Sequence, residues 1–448
     1  MIASQVMFPQ WLGSRRRGWV WALLVVGSSS IANAEKPLSL EEAVNWALAN
    51  NERSLKAPLR VEVAKGQLER ARAAFLPTVT ASGTETLNAK ADKTGRHFTN
   101  AESLSVNQPL LNMSAFPLYA QARHQLRSEQ WGAVEDRRGL AFDTARAFMN
   151  ALASERLFDA AQQRLERARA TQQDTQARVD AQLASTNDAT RVSVDMSSAE
   201  SQVNQARGNV ERAYLELSFL LGRSVTGPLE TPERTSRAAR TGTIHREDIV
   251  RRAESRRPDL KSAQERTQAL RQSAAEPLYR LAPTLALVGQ VRTIVDPLPI
   301  EQGFSEAALL TMTWTIYDAG ARYADRKTRV AQADSQALDE RQLRRSIATD
   351  ISVAISTLRT ARKNYLISED AAVTAKRNTE ETEILYRQGL ARAIEVTDAS
   401  ASRYAADVAV ESAKLAMEQA YLGLREALGL NPTGEGLAPS VPATKESK

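Results

Sequence analysis

Cysteine is absent from all 448 residues of this sequence. Disulfide bonds, thiolate metal sites and cysteine nucleophiles are therefore excluded, and so is the lipid-modified cysteine of a lipoprotein. Aromatic residues are also few, at 5% of the chain. Alanine, arginine, glutamine and glutamate are abundant instead. This balance is typical of long helices that pack through small residues.

Proline is missing from two long stretches, residues 118–227 and 300–431. A proline inside a helix costs about 3 kcal/mol, so its absence over such lengths favours very long helices. In the second stretch, apolar and small residues recur at alternating spacings of four and three, which is a heptad seam. The seam consists of Ile347, Ile351, Ala354, Leu358, Ala361, Tyr365, Ser368, Ala372, Ala375 and Thr379.

A short motif interrupts each proline-free stretch near its middle. The second copy is YRQGLARAIEVTDAS (386–400), and the looser first copy is RVDAQLASTNDATRVS, which begins at residue 178. Gly389 can take the left-handed conformation that ends a helix, and the acids after it suit the start of the next helix. The aligned tip residues are Gln182, Leu183 and Ala184 in the first copy and Gly389, Leu390 and Ala391 in the second, followed by Asp188 and Glu395.

Each stretch therefore predicts a long helical hairpin, over residues 116–222 and 318–429. The first arm, 116–181, holds 66 residues and would be about 100 Å long at 1.5 Å per residue. Other landmarks repeat at nearly the same offset: AYLELSFLLG ends at Gly222 and AYLGLREALG at Gly429, 207 residues later. A constant offset of this kind indicates a tandem duplication.

Ahead of each helical hairpin, residues 78–110 and 284–317 alternate small or apolar residues with threonine, serine and asparagine. Turn-rich segments at 91–97 and 296–304 divide them, so we predict one β-hairpin per repeat. The turn of each β-hairpin is expected to face the outside of the cell. Strands of about 9–13 residues are long enough to cross an outer membrane. Shorter amphipathic helices are predicted before each β-hairpin, within 35–76 and 243–280.

The ends and the middle of the chain have other compositions. Residues 1–34 have the three parts of a signal peptide: a basic segment, a short apolar core and Ala-Asn-Ala. Residues 223–242 are predicted to be a linker in the equatorial region, and 432–448 a disordered polar tail. Without the first 34 residues the formal charge falls from +6 to +3, which gives little reason to expect nucleic-acid binding.

Two β-hairpins cannot close a barrel, because four strands leave edges that lipid does not tolerate. Three chains would supply twelve strands. The doubled order of helix, β-hairpin and long helical hairpin, with GLARAIEVTD at the second tip, resembles the TolC family of outer-membrane efflux proteins. The expected fold is mainly α with β: a trimeric outer-membrane β-barrel of four strands per chain, continuous with a long α-helical barrel and built from a tandem repeat. Because it has no cysteine, the chain resembles the unlipidated members of this family.

The resemblance implies a passive exit duct in the outer membrane that extends into the periplasm and serves efflux or type I secretion. It implies a homotrimer, a periplasmic adaptor that docks on the tip residues, and an inner-membrane pump of the RND, ABC or MFS type. It also implies a gate, in which Glu395 and Asp398 form acidic rings and Tyr386 hydrogen-bonds toward Asp188 of a neighbouring hairpin. Two positions depart from the family pattern: Ala391, where some members have arginine, and Gln182, where glycine is usual.

Other interpretations stay open on the sequence. The acids could be ordinary helix N-terminal residues, and Tyr386 a packing aromatic. The arginine-rich stretches 163–169 and 341–345 are predicted to be solvated helix faces, and Trp314 a membrane-interface anchor. A periplasmic adaptor or a coiled-coil scaffold is the alternative function. An enzyme is the least expected class, without cofactor or metal, because His97, His124 and His245 are isolated and no catalytic motif is present.

Overall fold

The computed structural model describes residues 37–87, 89–90, 97–241, 249–294 and 303–434. The predicted signal peptide, nearly all of the predicted polar tail and most of both β-hairpin turns lie outside these residues. Within them, one series of elements occurs twice in the same order. The predicted duplication is therefore visible in the fold.

The first copy consists of α1 (Leu40–Asn50), α2 (Glu52–Ala73), β1 (Thr78–Leu87), β2 (Phe98–Leu111), α3 (Ala115–Asp180) and α4 (Thr186–Leu221). The connecting helix is α5 (Glu233–Thr241). The second copy consists of α6 (Ile249–Arg256), α7 (Pro258–Tyr279), β3 (Thr284–Thr293), β4 (Phe304–Thr313), α8 (Ala321–Arg387) and α9 (Ala393–Ala427).

The two longest helices, α3 and α8, have 66 and 67 residues. They form helical hairpins with α4 and α9, as the proline-free stretches predict. The heptad seam of α8 is also confirmed, because its members are buried or half-buried. Ile347, Ile351 and Leu358 pack there against Met417 and Leu424 of α9 in one continuous core. A second core joins α1, α3 and α4.

Helix α5 lies within the predicted linker, residues 223–242. Its nine residues are held by the second hairpin rather than by their own propensity. Ala239 is fully buried, and Arg362 of α8 donates hydrogen bonds to the carbonyl oxygens of Ala238 and Ala239 at 3.3 and 2.5 Å. Those bonds satisfy carbonyl groups that a helix C-terminus leaves without intrahelical partners.

The four strands form one antiparallel sheet in the order β1-β2-β3-β4. Thr78 pairs with Asn107, Leu104 with Val291 and Leu287 with Leu310. The predicted strands are confirmed in position, but three of them end earlier than predicted: β1 at Leu87, β3 at Thr293 and β4 at Thr313. Trp314 follows the strand, and its indole N–H donates to the carbonyl oxygen of Leu281 at 2.9 Å. This side-chain hydrogen bond therefore lies directly after the end of β4.

Across the described part of the chain, no helix is both long enough and apolar enough to cross a membrane.

Candidate gate at the helical tips

The first helical hairpin turns through a left-handed residue that is not glycine. Gln182 has φ of 63°. Its N–H donates to the carbonyl oxygen of Val179 at 2.9 Å, and the N–H of Leu183 donates to that of Arg178 at 2.7 Å. This pair of bonds is a Schellman motif, which satisfies the last carbonyl groups of α3.

The second hairpin turns in the same way. Gly389 has φ of 76°, its N–H donates to the carbonyl oxygen of Tyr386 at 3.0 Å, and the N–H of Leu390 donates to that of Leu385 at 2.9 Å. The alignment of Gln182 with Gly389 therefore predicts the turn correctly, although the first copy carries a side chain in a conformation that favours glycine.

The helices that follow the two turns begin differently. At the start of α4, Ser185 and Asp188 form a capping box, in which the Asp188 N–H donates to Ser185 Oγ at 3.2 Å and the Ser185 N–H donates to Asp188 Oδ2 at 3.4 Å. At the start of α9, the cap position is Arg392, which makes no side-chain cap bond. The carboxylate of Asp188 is therefore used by its own helix, whereas its counterpart Glu395 is not.

Glu395 and Asp398 lie one turn apart at the start of α9, and both are exposed. Neither carboxylate makes a hydrogen bond or ion pair with any residue that the structure describes. Glu395 lies in the first turn of α9 and complements the positive end of the helix dipole, which is worth about 0.3–1 kcal/mol. The structure thus brings these two predicted gate residues together on one face, free of protein partners within the described chain.

Tyr386 is buried near the second tip, with 7% of its surface exposed. Its ring packs with Val192 of α4 and Val396 of α9. Its hydroxyl lies 2.8 Å from Oγ1 of Thr175, which is fully buried, and the guanidinium of Arg178 lies 4.4 Å from the ring centroid. One side chain therefore links the second hairpin to both helices of the first.

Within one chain, the hydrogen-bond partner of Tyr386 is Thr175, and Asp188 is occupied by Ser185. A bond between Tyr386 and Asp188 of a neighbouring hairpin stays a prediction. Thr175 and Arg178 were missed by the sequence reasoning. They lie in α3 more than 200 residues before Tyr386, and no local pattern in the sequence pairs them with it.

The arginine-rich stretch 163–169 is not the fully solvated face that the sequence predicts. Arg164 is only 5% exposed and donates to Gln202 at 2.6 Å and Asp195 at 2.9 Å, both on α4. Arg169 in the same stretch is exposed. In the stretch 341–345 the prediction is confirmed, because its arginines are exposed.

The described part of the chain holds no group of three His, Asp or Glu side chains that could bind a metal ion. His124 of α3 lies 2.7 Å from Glu265 of α7, a contact that joins two helices. His245 lies outside the described residues.

The model of the outer membrane efflux protein family matches residues 43–223 and 249–430. This chain belongs to that family. No curated protein matches it in sequence.

Three solved structures illustrate the shared fold. CusC is 16% identical, covers 88% of this chain and 92% of its own, and superposes with a TM-score of 0.78. A membrane protein from Pseudomonas aeruginosa is 19% identical, with coverages of 90% and 92% and a TM-score of 0.76. The Campylobacter jejuni CmeC outer membrane channel is 17% identical, with coverages of 87% and 85% and a TM-score of 0.74.

Family membership gives the class of protein. The chain is an outer-membrane channel component of an efflux system, located in the outer membrane and extending into the periplasm. The resemblance to the TolC family and its mainly helical fold with a small antiparallel sheet are confirmed. The alternatives of an adaptor and a periplasmic scaffold are set aside, because the family match spans both repeats. The family consists of channel proteins rather than enzymes.

Proposed function

We propose that this chain works as a homotrimeric exit duct, which accepts cargo from an inner-membrane pump of the RND, ABC or MFS type through a periplasmic adaptor. We further propose that Glu395 and Asp398 line its periplasmic constriction. The observation that carries the constriction is the pair of exposed carboxylates on one face of α9, without protein partners in the described chain.

The sheet supports the trimer. Within one chain, β1 and β4 are the two edges of the four-stranded sheet, and all ten residues of each strand are exposed. An open edge in lipid leaves backbone N–H and C=O groups without partners, each at a cost of several kcal/mol. Pairing β4 of one chain with β1 of the next removes both edges, and three chains give an even-numbered barrel.

A three-fold assembly would also allow the acidic residues to control which ions pass through the pore. If α9 lines the pore, three copies each of Glu395 and Asp398 surround one axis. Like charges held close in a narrow channel concentrate cations and repel anions, because the surrounding protein screens them poorly. The ring would therefore make the pore cation-selective and sensitive to block by multivalent cations.

The two tips offer a surface for the adaptor. Leu183 and Leu390 occupy the same position in the two Schellman turns and are 79% and 73% exposed. Exposed leucines in matched turns provide apolar anchors at a repeated spacing around the end of the helical barrel. Together with Gln182, Gly389, Ala184 and Ala391, they form the proposed adaptor-docking surface, which stays a prediction.

Planar-bilayer recordings on the purified protein test this function. The double variant Glu395→Ala/Asp398→Ala should lose much of the cation selectivity and of the block by multivalent cations. The assembly should persist, because the helix-dipole contribution lost with Glu395, about 0.3–1 kcal/mol, is small beside the packing of the long helical seams. The matched control is Glu200→Ala/Glu216→Ala, which removes two exposed acids from α4 and should leave selectivity unchanged.

Unchanged selectivity in the Glu395/Asp398 variant would mean that these acids serve only the start of α9. Equal losses in both double variants would mean that selectivity follows the total charge and not a ring at the tip.

A further inference from the structure

A group of arginines lies where α3 meets α4 and α9. Arg164 and Arg167 are one turn apart on α3, and Arg403 is on α9. Arg164 is neutralised by Asp195, at 2.9 Å. Arg403 lies 4.0 Å from Asp407 on its own helix. Two of the three cations therefore have a carboxylate of their own.

Arg167 differs from the other two in having no carboxylate within ion-pair distance among the described residues, although the Nε atoms of Arg164 and Arg403 are also buried without an acceptor there. Its Nε and Nη2 atoms are buried and have no hydrogen-bond acceptor among the described residues. Burial, followed by the positive charge of Arg403, lowers the pKa of Arg167, and the nearby carboxylates of Asp407 and Glu383 offset only part of this shift. Leaving buried donors of a charged group unpaired costs more than leaving neutral ones unpaired. This position therefore favours an acceptor that the chain itself does not supply.

The two unpaired atoms identify the kind of acceptor. Nε and Nη2 form one edge of the guanidinium, and that edge donates two parallel hydrogen bonds to two oxygens of the same anion. A carboxylate or a phosphate matches this spacing, whereas a single halide ion accepts from the edge without the two-oxygen match. The geometry selects an oxyanion.

Arg167 also lines a cavity of about 280 Å³ between α3 on one side and α8 and α9 on the other. Two carboxylates in its wall have cations of their own: Glu383 lies 3.9 Å from Arg387, and Asp174 lies 3.5 Å from Arg178. The volume is several times the roughly 30 Å³ that one water occupies in the liquid. The cavity thus has room for a small anion next to Arg167, which has no ion-pair partner in the described chain, whereas Arg387 of the same wall has Glu383 at 3.9 Å.

We propose that this cavity binds an inorganic oxyanion, phosphate in the first instance, held side-on by Arg167. The bound anion would supply the missing acceptors and offset the repulsion between Arg167 and Arg403. Because α3 belongs to the first hairpin and α8 and α9 to the second, the anion would also join the two hairpins. The cavity wall includes Tyr386, but the binding of phosphate by Arg167 does not depend on the proposed function.

The test is phosphate binding to the purified full-length protein in detergent, measured by titration calorimetry and by ³¹P NMR. Ionic strength is kept constant with chloride. We expect saturable binding of one phosphate per chain. Arg167→Gln should weaken it by about tenfold or more, because two charge-assisted hydrogen bonds are lost. Arg167→Lys keeps the charge without the two-donor edge and should also bind more weakly.

Arg169→Gln is the matched control, since it removes an exposed arginine from the same helix and should bind phosphate like the unmodified protein. Binding that is absent from the unmodified protein, or equal in Arg167→Gln, would overturn the proposal. If the unmodified protein binds no phosphate and both Arg167 variants also lose the assembly, the proposal is overturned in favour of another acceptor. A carboxylate of a second copy would then be the acceptor.

Discussion

Replacing Tyr386 with phenylalanine tests whether the link between the two hairpins holds the periplasmic end closed. The substitution removes only the hydroxyl. The ring can keep its contacts with Val192 and Val396, and it still offers an aromatic face to the guanidinium of Arg178, 4.4 Å away. Within one chain, the contact that the substitution removes is the hydrogen bond with Thr175.

The magnitude follows from burial. Thr175 is fully buried and Tyr386 is 7% exposed, so the threonine hydroxyl loses its 2.8 Å partner without gaining access to water. Such a loss costs about 1–3 kcal/mol. If the bond exists only when the tip is closed, the closed-to-open equilibrium should shift toward open by about 5- to 150-fold, since 1.4 kcal/mol is a factor of ten.

Single-channel recording in planar bilayers measures this shift as higher mean conductance or longer open times. Ion selectivity should stay unchanged, because Glu395 and Asp398 are untouched. Thr175→Ala should have a similar effect, and the double variant should show much less than the sum of the two, as expected for residues in one contact. Tyr323→Phe is the control, because this α8 tyrosine is 60% exposed.

Conductance equal to that of the unmodified protein in Tyr386→Phe, with a lowered unfolding temperature, would refute the reasoning. The contact would then stabilise the chain equally in the closed and open states.

Three further predictions concern other parts of the chain. Epitope tags placed in 91–97 or 296–304 should be detected on intact cells, and labelling only after permeabilisation would exclude the proposed topology. Gly389→Ala should destabilise the second tip by about 1–2 kcal/mol, because alanine is strained at φ of 76°, whereas Gln182→Gly should relieve strain; equal unfolding temperatures in the two variants would contradict this. Burial raises the pKa of Glu418, so the folded state holds its proton more tightly than the unfolded state and this residue destabilises the fold at pH above its ordinary pKa of 4.5. Glu418→Gln should therefore be more stable than the unmodified protein at neutral pH and lose that advantage as the pH falls toward 4.5; a pH-independent difference would count against this account.

Features set by local sequence could be predicted. The absence of proline over residues 118–227 and 300–431 predicted α3 and α8, because one proline would have broken either helix. The period of two in the β segments predicted the strands, and the match between Gln182 and Gly389 predicted two equivalent turns. Each helix, strand and hairpin turn of this kind is determined by residues that are close to one another in the sequence.

Features that depend on distant contacts could not be predicted. Helix α5 forms because Arg362, more than 120 residues away, bonds its last carbonyl groups. Arg164 is buried because Asp195 and Gln202 reach it from the next helix. In the sequence it is indistinguishable from the exposed Arg169. The contact between Tyr386 and Thr175 could not be predicted for the same reason, since only the packing of one hairpin on the other brings the two residues together.

The number of chains in the purified protein tests the central claim most directly. In the proposed duct, the edges of β1 and β4 pair between chains and the acidic ring forms from three copies around one axis. Light scattering in a mild detergent, corrected for bound detergent, should give the mass of three mature chains. A stable, folded monomer would contradict the account, because four strands alone would then satisfy their edges and the carboxylates of Glu395 and Asp398 would surround no pore.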